Sequence, residues 1–118
     1  MASAQLLNYL RTNRKRLGLS QDEVAYLLGT GSGGKVCRYE RGAREPSLRT
    51  ALACEAIFQR SVRELFAGIY DEVEKEVATR AKSLARKTDR LQPGMHAARK
   101  RETLVKIGGV KRKRLQNS

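Results

Sequence analysis

Apolar residues in the first 70 positions recur at intervals of three and four, interrupted by glycine, serine or proline roughly every ten residues, which predicts short amphipathic helices and no strands. The first helix is expected from Ala4 to Leu17, with Leu6, Leu7, Leu10 and Leu17 on or near one face. Arg11, Arg14, Lys15 and Arg16 fall largely outside that face, and Gly18 supplies the stop signal. Ser20-Gln21-Asp22-Glu23 reads as a capping box, in which the serine hydroxyl and the glutamate carboxylate accept from otherwise orphaned amides. It opens a second helix through Leu28, closed by Gly29. After a glycine-rich turn, Ser32 is expected to cap a third helix to about Tyr39, with Val36 and Tyr39 pointing inward. Ser47, behind Pro46, is placed to cap a fourth helix containing Leu48, Ala51, Leu52, Ala53 and Ile57. A second capping box, Ser61-Val62-Arg63-Glu64, opens a fifth helix carrying Val62, Leu65, Phe66 and Ile69.

Beyond this core the pattern changes. From Asp71 to Leu91 the sequence suits one long helix, acidic at its start (Asp71, Glu72, Glu74, Glu76) and basic towards its end (Arg80, Lys82, Arg86, Lys87, Arg90), the order that a helix dipole favours. Val73, Val77, Ala81, Leu84, Thr88 and Leu91 form a thin apolar stripe, open to packing on the core or to pairing two protomers and too irregular for a true coiled coil. Pro93-Gly94 interrupts the helix, Met95 to Ile107 suits another, and Gly108-Gly109 precedes the tail Lys111-Arg112-Lys113-Arg114. Fold class is therefore all-α: five helices over 1–69, a helical extension over 70–107 and a basic, mobile tail over 108–118.

Charge sharpens that division. Residues 1–79 carry 12 basic and 10 acidic groups, whereas residues 80–118 carry 13 and 2, and the whole chain has a formal net charge of +13. Such an excess calls for a polyanionic partner, nucleic acid before an acidic membrane surface, since the chain has no Trp and its two Phe lie outside the most basic segments. No run of about 20 apolar residues is present to span a bilayer, and the first 20 residues lack a secretory h-region, so a cytoplasmic location is expected. Cys37 and Cys54 are too few for a disulfide framework, and with His96 the sole histidine they offer no metal-ligand spacing. The segment Gly29 to Gly34 lacks the Gly-Lys-Ser/Thr ending and the preceding strand of a phosphate loop. Neither an enzyme nor a cofactor is expected.

Gly18-Leu19-Ser20-Gln21 with Glu23, Ala25, Leu28 and Gly29, followed by Val36, Arg38, Tyr39, Glu40, Arg41, Gly42, Pro46 and Ser47, resembles the Cro/lambda-repressor (Xre-like) helix-turn-helix family. The resemblance covers about Leu6 to Phe66 and implies double-stranded DNA as partner, with the third helix in the major groove and the start of the second at the backbone. Carried over to this chain, Ser32, Gly33, Gly34, Lys35 and Arg38 face DNA. Lys35 and Arg38 are then the candidate base readers, while Gln21, Arg41 and Arg44 hold phosphates. Thr30-Gly31-Ser32-Gly33-Gly34 departs from the family pattern, one residue longer than the usual turn and with two glycines where side chains often read bases. The leading expectation is a nucleoid-associated transcriptional regulator, a repressor acting as a homodimer. The alternatives are an antitoxin-like or adaptor protein that binds a protein partner through residues 70–107, and a general nucleic-acid or ribosome-binding adaptor driven by the tail.

Overall fold

In the computed structural model, which describes residues 7–91 and 94–109, every regular element is an α-helix. The order is α1 (Leu10–Arg16), α2 (Gln21–Leu28), α3 (Gly33–Glu40), α4 (Leu48–Phe58), α5 (Val62–Leu65), α6 (Ala67–Leu91) and α7 (Met95–Gly108). The all-helical expectation holds. The chain divides into two compact units, the first ending at Tyr70 and the second beginning at Asp71, within α6.

The core of the first unit is one buried cluster of Leu10, Val24, Ala25, Val36, Tyr39, Ala51, Cys54, Phe58, Leu65 and Phe66. Every helix from α1 to α5 contributes to it, and Leu19, Leu28, Ile57, Val62 and Ile69 pack at its margin. The ends of these short helices follow the sequence closely. Both capping boxes form as expected, Ser20 with Glu23 and Ser61 with Glu64, and Ser47 Oγ accepts from Thr50 N at 3.2 Å. Gly18, Gly29 and Gly42 all take left-handed φ values of 73° to 76° just past helices, where a side chain would be strained. At each, the next residue's amide reaches back to the last turn: Leu19 N to Arg14 O, Thr30 N to Ala25 O and Ala43 N to Arg38 O, at 2.9 to 3.1 Å.

Two boundaries differ from expectation. The first helix begins at Leu10, with residues 7–9 outside it; of the predicted face Leu10 is buried and Leu7 and Leu17 are exposed, while Leu6 and the expected start at Ala4 lie outside the described residues. Asn8 is the physical reason: its Oδ1 accepts from Leu10 N while its Nδ2 donates to Tyr39 O, and Tyr9 N donates to Leu65 O at 2.7 Å. Asn8 and Tyr9 are thus tied to α3 and α5, and an amide committed there is withdrawn from helix bonding. The fifth helix is correspondingly short, because it stops at Phe66, whose φ of −117° and ψ of 43° break the helix before α6 starts at Ala67. Ile69 therefore belongs to α6, which begins four residues before the predicted Asp71.

In the second unit, α6 from Asp71 onward and α7 come close together. A side chain on Gly108 would meet Lys82 Cγ at 3.3 Å and the Ala78 carbonyl at 3.8 Å. Ala81, Thr88 and Leu104 are buried here, while Val73, Val77 and Leu84 remain 45% to 49% exposed, so the predicted stripe splits into a covered part and an open part. The tail from 110 onward lies outside the described residues.

Candidate nucleic-acid interface

The first three helices meet around one buried carboxylate. Glu40 ends α3 and its side chain is only 4% exposed, an unfavourable place for a negative charge on grounds of both burial and helix dipole. Arg14 of α1 answers it with a two-pronged contact, Nε to Oε2 at 2.5 Å and Nη2 to Oε1 at 3.3 Å. Gln21 of α2 adds Nε2 to Oε1 at 3.1 Å, and Arg14 Nη1 also donates to the Leu19 carbonyl. The carboxylate hydrogen bond pushes the Arg14 pKa above its ordinary value against the opposing effect of burial. A charge pair of this kind fixes where α3 stands against α1 and α2, and it removes the one carboxylate of α3 from the field outside.

The opposite end of α3 is held by α2. Ser32 has the extended backbone of an N-cap, yet its side chain makes no cap bond; Asp22 Oδ1 accepts from Gly33 N at 3.0 Å in its place. The expected serine cap is thus corrected to an aspartate cap from the neighbouring helix. Gly33 is buried because α2 lies directly on it: a Cβ there would collide with Asp22 Oδ1 and stand 3.1 Å from Asp22 N and 3.2 Å from the Gln21 carbonyl carbon. Only glycine permits this approach.

Between these fixed ends α3 turns Val36 and Tyr39 into the core and leaves the other side open. Gly34, Lys35, Arg38 and Arg41 share that outer side at offsets of 0, 1, 4 and 7 residues. Ser32, Gly34, Arg38 and Arg41 are exposed and Lys35 is half-buried. A Cβ on Gly34 would lie 3.9 Å from Arg38 Nη1, so the absence of a side chain leaves the guanidinium room over the first turn. Arg44, exposed in the segment before α4, follows three residues after Arg41. Seven of the eight residues expected at DNA thus lie along α3 and its two flanks, Gly33 among them as a buried packing residue. Gln21 stands apart, its amide engaged with Glu40.

Asp22, Arg14 and Glu40 were not anticipated as parts of this arrangement. Glu40 left a trace, since it falls four residues after Val36, on the inward face, where a carboxylate requires a partner. Cys37, beside Arg38, is half-buried, and burial pushes the Cys54 thiol up to about 11, which leaves that thiol inert in the core. Among the described residues no cluster of His, Cys, Asp or Glu is arranged to hold a metal, and no helix is long and apolar enough to cross a membrane.

Residues 5–65 match a family model described as a helix-turn-helix domain. No curated protein and no solved structure matches the chain.

Proposed function

This chain belongs to the helix-turn-helix domain family, and from that premise we propose that it is a transcriptional regulator, a repressor, that reads double-stranded DNA with α3. It binds as a homodimer to an inverted repeat with half-sites about one helical turn apart, in the cytoplasm at the nucleoid. The observation that carries this reading is the outer side of α3, cationic at Lys35, Arg38 and Arg41, with Glu40 withdrawn and paired. Lys35 and Arg38 read guanine edges, Arg41 and Arg44 grip phosphates, and Gln21 reaches a phosphate with the amide proton that Glu40 does not take. Gly34 lets the backbone come close to the bases. The basic tail adds affinity without sequence preference, by release of counterions. The exposed Val73, Val77 and Leu84 favour a second reading, in which the 70–107 region docks a different protein, as in an antitoxin or adaptor.

The test is selection of bound sequences from a random duplex library at moderate and at high salt. A repeated half-site retained at high salt is expected, with Arg38→Ala relaxing preference at one base position and removal of residues 108–118 lowering affinity for every sequence alike. Equal recovery of all sequences at both salts would overturn the reading.

A further inference from the structure

We propose that the open face of α6, carrying Val73, Val77 and Leu84, docks antiparallel against the same face of a second copy of this chain. The proposal rests on the homodimer of the reading above and gives that dimer a seam and a direction.

The face is defined by helical phase. Taking Val77 as origin, Val73 and Leu84 lie within about 40° of it, since successive residues turn by about 100°. One flank of this strip is occupied: Ala78, Lys82 and Ala85 lie towards α7, where Gly108 approaches Lys82 and a groove runs between Lys82, Ala85 and Leu104. The other flank is open and carries Glu72, Glu76, Arg80 and Lys87, all exposed. Three half-exposed aliphatic side chains at one phase of a helix with a cationic end are a face with apolar surface to bury and a strong electrostatic constraint on what covers it.

That constraint selects both occupant and orientation. Residues 71–79 carry four acidic groups and one basic group, net −3, whereas residues 80–91 carry five basic and one acidic, net +4. The helix is thus complementary to itself when reversed and repulsive when parallel, because a parallel pair sets both cationic ends side by side. A two-fold axis crossing α6 between Ala78 and Thr79 brings Val73 level with Leu84 of the second copy, Glu72 near Lys87 and Glu76 near Arg80. All three matches are level to within about 3 Å at a rise of 1.5 Å per residue. The apolar pair and the two charge pairs thus centre within about 1.5 residues of one another and are compatible with one axis.

The test uses the full chain without DNA, in a Cys37→Ser background. Chains carrying Val73→Cys and chains carrying Leu84→Cys are mixed and oxidised, and covalent dimers are scored. The antiparallel seam predicts disulfides in the mixture and none in Val73→Cys alone, whose two copies stand about 16 Å apart along the seam, against a Cα limit of about 7 Å. Leu84→Ser, an exposed position, is expected to weaken the dimer on the order of tenfold with helicity unchanged. Efficient self-linking of Val73→Cys, or a monomer by equilibrium sedimentation, overturns the seam. Because no DNA is present, either result is independent of whether α3 reads sequence.

Discussion

In the first unit ten side chains from five helices and the turn that ends the fifth close into one buried cluster, tied across α1, α2 and α3 by a buried ion pair. Among the described residues of the second unit only Ala81, Thr88 and Leu104 are buried, and Val73, Val77, Leu84 and Val105 stand 45% to 64% open. Rigid presentation of a side chain needs neighbours that cannot move without cost, so the first unit is suited to positioning a reading helix. The described residues of the second are mostly surface. The largest expected contrast between them is a core truncation. Phe58, 1% exposed, is expected to lose about 3–5 kcal/mol as Phe58→Ala, because transfer and cavity terms add in a packed interior. Val105→Ala in the second unit is expected within about 0.5 kcal/mol of the parent. Denaturant unfolding followed by circular dichroism measures both, and equal losses would erase the distinction.

The ion pair comes next. Glu40→Gln leaves the Arg14 guanidinium, 11% exposed, without its counter-charge and is expected to cost about 3 kcal/mol. The joint change Arg14→Met with Glu40→Leu removes both charges and is expected to restore much of the loss, since neither burial is then uncompensated. Stability measured for the parent, Arg14→Met, Glu40→Leu and the joint change separates the value of the pair from the penalty of a stranded charge. A cycle with no coupling would mean that α3 is held by the apolar core alone.

Much of this organisation was legible in the sequence because its signals are local. Capping boxes at Ser20 and Ser61, closing turns at Gly18 and Gly29, and the inward phase of Val36 and Tyr39 need only neighbours within one or two helical turns. What sequence left unread is tertiary. The start of α1 depends on Asn8 and Tyr9 meeting residues 31 and 56 positions away, and the cap of α3 comes from Asp22, eleven positions back. Arg14 looked like a solvated face for the same reason: its partner is 26 residues on. Of the candidate DNA contacts, the cations on α3 were named by the family resemblance, whereas the engagement of Gln21 by Glu40 required three helices to be assembled first.

The adjacent glycines of α3 divide along the same line. Gly33→Ala drives a methyl group into the Asp22 carboxylate and the α2 backbone, and about 1–3 kcal/mol of overpacking is expected. Gly34→Ala has only the Ser32 hydroxyl and the Arg38 guanidinium nearby, at 3.6 and 3.9 Å, and is expected to stabilise the domain by up to about 1 kcal/mol through helix propensity. Measured together by thermal unfolding and DNA affinity, Gly34→Ala that stabilises yet weakens binding would locate the close backbone approach at Gly34. Opposite signs of stability for the two substitutions are the expected result, and equal signs would contradict the packing of α2 on Gly33.

The smallest expected effect lies within the first unit, in the capping box that opens α5. The Ser61 backbone amide, then its hydroxyl, hydrogen-bond Glu64 and hold its carboxyl below the ordinary carboxylate value, with Arg60 nearby acting in the same direction. A carboxyl with a lowered folded-state pKa contributes stability that is fully present above its unfolded value and is lost as pH falls through the folded one. Glu64→Gln retains a side-chain acceptor for the Ser61 amide but cannot titrate. The parent is therefore expected to melt slightly above Glu64→Gln at neutral pH and to converge on it as the pH drops through the lowered carboxylate range, while the separation between them narrows with added salt. A gap that persisted unchanged in acid would mean that Glu64 acts there by shape, leaving the entry to α5 set by packing of Leu65 and Phe66 rather than by its cap.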